Sequence, residues 1–181
     1  MAGKADKDLY FAVWATAWGP MGAVAGQRGL RRIVLPHYQF RDLVDLLAWE
    51  HPAARREDEP FETFINLTRE YFGGLGTVDF RRLECELPGE QSFSGKVYRA
   101  CREISYGQTM SYSQLAGMIG QADSARAVAA ALGRNPVPLV VPCHRVTYSD
   151  GRMGGFSAEG GEPLKRRMLD LERRICDRQG C

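Results

Sequence analysis

The chain has 181 residues, 44% hydrophobic and 25% charged, with a net charge of +2, the profile of a soluble globular protein built as one good-sized domain or two small ones. No apolar run reaches the roughly 20 residues that a membrane helix needs, and the polar start Met1–Asp8 lacks the apolar core of a secretory signal, so a cytoplasmic location is expected. Five cysteines at irregular spacing and three scattered histidines argue against a disulfide framework and against a metal site written in the sequence.

Taken in chain order, the first third reads as β-rich. Tyr10–Ala15, Gly22–Gly26 and Leu30–Leu35 are short apolar runs broken by Gly19-Pro20 and by Gly26-Gln27-Arg28-Gly29, which is the pattern of a meander. Arg41–His51 and Phe61–Phe72 carry helical spacing, with Phe61, Phe64, Leu67 and Tyr71 on one face, and Gly73-Gly74 stops the second helix. Val78–Leu87 reads as a further strand, and Pro88–Ser92 as a linker that divides residues 1–88 from residues 93–181. Beyond it the pattern turns helical. Phe93–Ile104 is a first helix, and Ser111–Ile119 a second with Ser111 as its N-cap. Gly120-Gln121-Ala122 is a tight turn, and Asp123–Arg134 a third helix capped by Asp123 or Ser124. Two helices about a glycine-bearing turn make a helix-turn-helix pattern. Glu162–Arg174 is a final amphipathic helix with Pro163 in its first turn, followed by a few residues expected to be mobile.

Charge is divided along the same line. Residues 1–92 hold 11 Lys/Arg against 14 Asp/Glu, and residues 93–181 hold 13 against 8. A basic half is what a polyanionic partner would need, although a solvated surface of uneven charge reads the same way.

The chemistry concentrates in Asn135-Pro136-Val137-Pro138-Leu139-Val140-Val141-Pro142-Cys143-His144-Arg145-Val146. A cysteine beside a histidine, entered by an apolar extended run and followed by the glycine-rich loop Gly151–Gly161, suggests a thiol held in a pocket. Such a thiol reacts as thiolate, and a neighbouring base generates it. Adjacent residues in an extended segment point apart, so His144 reaches the sulfur only through a turn or a bridging water. In the loop, Phe156 could wall a flat pocket and Ser157 donate a hydrogen bond. A buried, inert cysteine is the common alternative. The helix Asp123–Arg134 is lined with Ala125, Ala127, Ala129, Ala130 and Ala131, small enough for close approach to another surface, and carries the single long cation Arg126. It lacks the side chains that read base edges, so any DNA binding should show little sequence preference. On composition alone the favoured reading is a tightly packed helix with a solvent-facing arginine, and Glu172, among Lys165, Arg166, Arg167, Arg173 and Arg174, is a surface ion pair.

Four blocks, SYSQLA (111–116), ARAV (125–128), NPVPLVVPCHRV (135–146) and GGFSAEGG followed by KRRMLDLE (154–172), stand in the order found in O6-alkylguanine-DNA alkyltransferases, and the chain resembles that family over about residues 93–174. The resemblance implies an α/β protein: a small N-terminal ribonuclease-H-like domain, then a mostly helical winged helix-turn-helix domain bearing the active-site cysteine. It implies a single-turnover DNA repair protein needing no cofactor. Its partner would be double-stranded DNA bearing O6-alkylguanine, and its form a monomer. Cys143 would accept the alkyl group, His144 act as base through a water, and Glu172 polarise His144. Tyr112 would contact a phosphate and assist proton transfer to the guanine, and Asn135 would brace the turn before the cysteine. Arg126 would be the finger that fills the stack. Ala125, Ala127 and Ala129 would lie against the minor groove, while Ser157, Phe156 and Val146 would border the flipped base. The rivals are a lesion-binding relative, which would lack Cys143, a helix-turn-helix regulator, and a Cys–His hydrolase, which would turn over repeatedly.

Overall fold

A computed structural model describes residues 8–181. Three antiparallel strands, β1 (Tyr10–Thr16), β2 (Gly19–Gly26) and β3 (Gly29–Val34), form the expected meander, with Trp14 opposite Met21 and Ala23 opposite Ile33. Helix α1 (Phe40–Glu50) then leads to β4 (Arg55–Arg56), a two-residue strand that pairs parallel with β1 and gives the sheet the order β3-β2-β1-β4. Alternation along β1 explains why its run is apolar throughout. Phe11 and Val13 face Leu43 and Leu47 of α1, whereas Ala12 and Trp14 face the other way, so both sides of the sheet are buried.

The second face packs on α2 (Glu62–Gly73). Its buried stripe is Phe64, Ile65, Thr68, Tyr71 and Phe72, with Leu67 only partly covered. Trp14 donates its indole N–H to Thr68 at 2.9 Å and meets Phe64 edge-on at 5.5 Å. Gly74 closes the helix in the left-handed conformation at φ 65°, as the Gly73-Gly74 pair suggested. Residues 78–87 differ from expectation. They form no strand, only one parallel bridge, in which Leu30 donates to Glu84 and accepts from Glu86. The reason lies at Gly29, where φ is 95° and a Cβ would sit 2.3 Å from the Glu84 carbonyl oxygen. The chain crosses β3 there at close range and moves on.

After this crossing come α3 (Phe93–Arg102), β5 (Met110–Ser111), α4 (Tyr112–Met118) and α5 (Ala125–Leu132). Ser92 caps α3 through the Gly95 N–H, and Ser111 caps α4 in a reciprocal box with Gln114. Gly120 at φ 71° makes the turn between α4 and α5. Tyr98 of α3 donates to the Ala131 carbonyl of α5 at 2.9 Å and is buried. The expected extended run 135–142 is instead a looped segment in which Val141 donates back to Val137, with Leu139 at φ 75°. A 3-10 turn, Cys143–Arg145, follows, and β6 (Val146–Thr147) then pairs parallel with β5. That pairing sets the cysteine turn beside the first turn of α4.

Helix α6 (Gly161–Gln179) runs past the predicted end, and the terminus is not loose. Gly180 caps the helix and Cys181 is joined to Cys176 by a disulfide, a single local bridge that the cysteine spacing did not suggest. No helix among the described residues is long and apolar enough to cross a membrane.

The free edge of β3 is where the sheet meets the helical part. It is covered by residues 84–86 and by the Pro136 carbonyl, which accepts from the Ile33 N–H at 2.8 Å. Gly29→Ala should therefore cost at least about 1–3 kcal/mol, the usual penalty of a strained backbone position. Gly89→Ala, where a Cβ meets nothing within 4 Å, should be close to neutral. Urea titrations of the two variants check this, and equal midpoints would remove the role given to the crossing.

Candidate active site

The site grows from the turn Cys143–Arg145. Because these residues are in a 3-10 turn rather than a strand, they do not alternate sides. Cys143 is 6% exposed, His144 fully buried and Arg145 6% exposed. His144 and Arg145 both turn to Glu172, which projects inward from α6 and is fully buried.

Glu172 accepts five hydrogen bonds. His144 Nε2 lies 2.8 Å from Oε1, and Arg145 donates Nε to Oε2 at 2.9 Å and Nη2 to Oε1 at 3.0 Å. Tyr71 donates its hydroxyl to Oε1 at 2.9 Å, and the Gly107 N–H reaches Oε2 at 3.0 Å. Burial alone would raise the carboxyl's pKa. His144 and the Arg145 guanidinium outweigh it and hold the group far below the usual carboxylate range. An ionised carboxylate only accepts, so the His144 proton facing it sits on Nε2. Nδ1 is then the basic nitrogen, and it is buried with no partner. Desolvation lowers the His144 pKa against the pull of Glu172, so the imidazole is neutral at rest.

Asn135 holds the other side of the sulfur. Its Nδ2 donates to the Val141 carbonyl at 2.8 Å and to Cys143 Sγ at 3.1 Å, while Oδ1 accepts from the Val137 N–H at 3.1 Å. Burial raises the Cys143 thiol above its ordinary value. The Asn135 hydrogen bond and the charge of Lys165 act in the opposite sense without reversing it. At rest the sulfur is therefore a thiol, and a base must take its proton during reaction.

A cavity of about 70 Å³ opens onto Cys143, lined by Arg32, Asn135, Pro138, Ser157 and Glu159 among others. Ser157 is exposed at its rim, and Phe156 is half-buried against the core. Arg32, from β3, pairs with Glu50 at 2.9 Å and lies 3.8 Å from Glu159, tying the loop to the sheet. Val146 is fully buried. Tyr112, at the start of α4, is 5% exposed, and burial pushes its phenol up to about 12, so it stays protonated. Arg126 and Ala127 are exposed on α5, with Ala125 and Ala129 half-buried beside them. Thus Cys143, His144, Glu172, Asn135, Val146 and Ser157 converge, with Tyr112 adjoining, while Arg126 and the alanines form a separate outer face.

Three participants were missed from the sequence. Arg145 was read only as part of a motif, Tyr71 only as core, and Lys165 as one of several surface cations. Lys165 is fully buried. It donates to the Val146 carbonyl at 2.6 Å and to the Met153 carbonyl, and burial pushes it down to about 8. Its burial was not visible in the sequence, because its neighbours Arg166 and Arg167 are cations of the same kind and are exposed. No group of three or more potential metal ligands exists among the described residues.

Residues 92–174 match the family described as 6-O-methylguanine DNA methyltransferase, DNA binding domain. A methylated-DNA–protein-cysteine methyltransferase of Mycolicibacterium paratuberculosis is 45% identical over 105 residues, which span 58% of this chain and 60% of that protein, somewhat less than two thirds of its length. One from Methanosarcina acetivorans is 30% identical over 166 residues, covering 91% of this chain and 98% of its own. The chain belongs to the methylated-DNA–protein-cysteine methyltransferase family. A crystal structure of Mycobacterium tuberculosis OGT in complex with DNA superposes with a TM-score of 0.74 at 30% identity, over 92% of this chain and 94% of that one. The likeness extends through the sheet as well as the helical part, so the mixed α/β architecture matches that of the solved OGT structure.

The electrostatics of this family member yield a pH signature. Since the folded Glu172 carboxyl lies below its ordinary value of 4.5, its contribution to stability is complete above that pH and is lost as pH falls below it. Glu172→Gln should cost about 3–5 kcal/mol at neutral pH, as expected for removing one partner of a buried ion pair. The gap from the wild type should narrow as pH falls below 4.5. Urea titrations across that range would detect it, and a gap independent of pH would count against an ionised Glu172.

Proposed function

We propose that this protein repairs O6-alkylguanine in double-stranded DNA by moving the alkyl group to Cys143, once per molecule. The observation that carries this reading is the buried relay Glu172–His144 beside a thiol held by Asn135, with an unpartnered imidazole nitrogen available for the thiol proton.

An alkyl carbon on guanine O6 is an electrophile with a poor leaving group, buried in the base stack. The nucleotide must leave the duplex, at roughly a few kcal/mol. Arg126 fills the vacated place while the small residues of α5 let the helix lie against the minor groove, which offsets that cost. The cavity at Cys143 is well below the roughly 300 Å³ of common ligand pockets, so the segment at Ser157 to Glu159 moves aside as the base enters. The Cys143 proton passes through a water to His144 Nδ1. The sulfur attacks the alkyl carbon, the S–C bond forms as the C–O6 bond breaks, and the electron pair goes to the guanine. Tyr112, a protonated phenol, supplies a proton to the departing base. Glu172 stabilises the imidazolium without being protonated itself, as the carboxylate does in other nucleophile–base–orienter chains. The thioether has no route back to thiol, so the protein is consumed. A thiol hydrolase would instead pass through a thioester that water cleaves, and would turn over repeatedly where the alkyltransferase stops at one equivalent.

In this reading residues 1–88 form a ribonuclease-H-like supporting domain and residues 93–181 a winged helix-turn-helix domain, with the turn after β6 as the wing. The protein acts as a monomer in the cytoplasm, with O4-alkylthymine as a secondary substrate.

Mixing the protein with duplex DNA bearing one O6-methylguanine should give a single methyl on Cys143 by intact-mass and peptide mapping, saturating at one equivalent. Cys143→Ser should bind the same duplex and acquire nothing. An unmodified wild-type protein would overturn the proposal. Arg126→Ala should react normally with free O6-benzylguanine yet lose much of its rate on the duplex. Equal losses on both would remove the finger from Arg126.

A further inference from the structure

Tyr148, two residues beyond Val146, is 44% exposed. It is also held in place. Its backbone N–H donates to the Arg152 carbonyl at 2.9 Å, and its carbonyl accepts from Gly151 at 3.1 Å, closing a tight turn with Gly151 at φ 83°. Its ring meets the Tyr112 ring at 5.1 Å, and the Arg152 guanidinium lies 5.0 Å over it, itself anchored on Asp150. A cleft of about 300 Å³ separates this turn from α5, walled by Tyr148 and Tyr112 on one side and by Ala125, Arg126 and Ala129 on the other.

We propose that Tyr148 is a stacking platform for the nucleotide next to the flipped one on the lesion-bearing strand. The proposal rests on the repair reading given above and extends it to a residue that the sequence did not single out. The chemistry of the cleft selects the occupant. Alanines leave room for a flat group, the exposed phenol ring offers a π surface, and the Arg152 guanidinium beside the ring brings the charge that a phosphate requires. The wall formed by Tyr112 leads back toward the cysteine turn, since Tyr112 directly follows β5, which pairs with the strand that leaves that turn, and its ring meets Tyr148. A strand whose lesion base enters at Cys143 thus runs its adjoining nucleotide past Tyr148. Stacking on an aromatic side chain tolerates any base, which fits a recognition helix without side chains that read base edges. Because Tyr112 and Arg152 already fix the ring, little conformational freedom is lost when the base arrives.

The test compares wild type, Tyr148→Ala and Tyr148→Phe on two substrates, a duplex with one O6-methylguanine and free O6-benzylguanine. At sub-saturating duplex, Tyr148→Ala should slow transfer by roughly 5- to 150-fold, the range found on removing one stacking side chain. Tyr148→Phe should stay near wild type, and the free base should react at similar rates in all three. Undiminished duplex transfer by Tyr148→Ala overturns the proposal. Equal losses on both substrates overturn it as well, since the ring would then act only by supporting Tyr112. A Phe variant as impaired as the Ala variant would assign the effect to the hydroxyl, again against stacking. Tryptophan emission supplies a second readout. In a Cys143→Ser background, Tyr148→Trp should be quenched by the lesioned duplex beyond the change shown by Cys143→Ser alone. A wild-type protein inert on the duplex would overturn the repair reading itself and this proposal with it, a result distinct from any difference among the variants.

Discussion

Everything around the reactive cysteine depends on one buried carboxylate. An ionised group taken wholly out of water is tolerable only when its oxygens are fully hydrogen-bonded and its charge is neutralised. Glu172 meets that demand with four residues from three separate places: Tyr71 on α2, Gly107 in the segment between α3 and β5, and His144 and Arg145 on the cysteine turn. The need to satisfy Glu172 therefore draws together the helix that backs the sheet, the turn that bears the thiol and the last helix. Arg145 balances the charge, which frees His144 to remain a neutral base. The Arg145 guanidinium also donates to the Ile104 carbonyl at 2.8 Å, fixing the end of α3 to the same cluster. A single side chain thus sets both the packing of the helical part and the tautomer of the catalytic imidazole.

The sheet acts on this site from behind. Tyr71 reaches Glu172 only because α2 is seated on the sheet by Phe64 and Phe72, and Trp14 anchors the middle of that helix through Thr68. On the opposite side of the cysteine, the edge of β3 binds the Pro136 carbonyl and presents Arg32 to the loop that borders the cavity. The N-terminal half is in this sense part of the site's framework, although it contributes none of the residues given roles in the transfer.

Much of this was legible in the sequence because it is local. Capping at Ser111, the glycine turn before α5, the left-handed stop after α2 and the meander of the first three strands each depend on a few adjacent residues. The block from Asn135 to Val146 also announced itself, since Asn135 and Cys143 are close in the chain as well as in space. What escaped was non-local. Nothing near Glu172 in the sequence distinguishes it from a surface carboxylate, and its partners Tyr71 and Gly107 are 101 and 65 residues away. Lys165 was hidden among cations of which only it points inward. Residues 78–87 have a strand-like composition, but their path is set by the missing side chain at Gly29. The apolar run before Cys143 looked extended because it is rich in valine and proline, whereas Asn135 folds it into a loop by bonding to Val137 and Val141.

The central claim is that Glu172 fixes neutral His144 with its proton on Nε2 and its lone pair on Nδ1. Long-range nitrogen–proton correlation spectra of the protein labelled with nitrogen-15 in histidine report that state directly, with His144→Ala used to assign the signal. The account predicts a neutral Nε2–H imidazole at neutral pH. A ring protonated on Nδ1, or on both nitrogens, would contradict it.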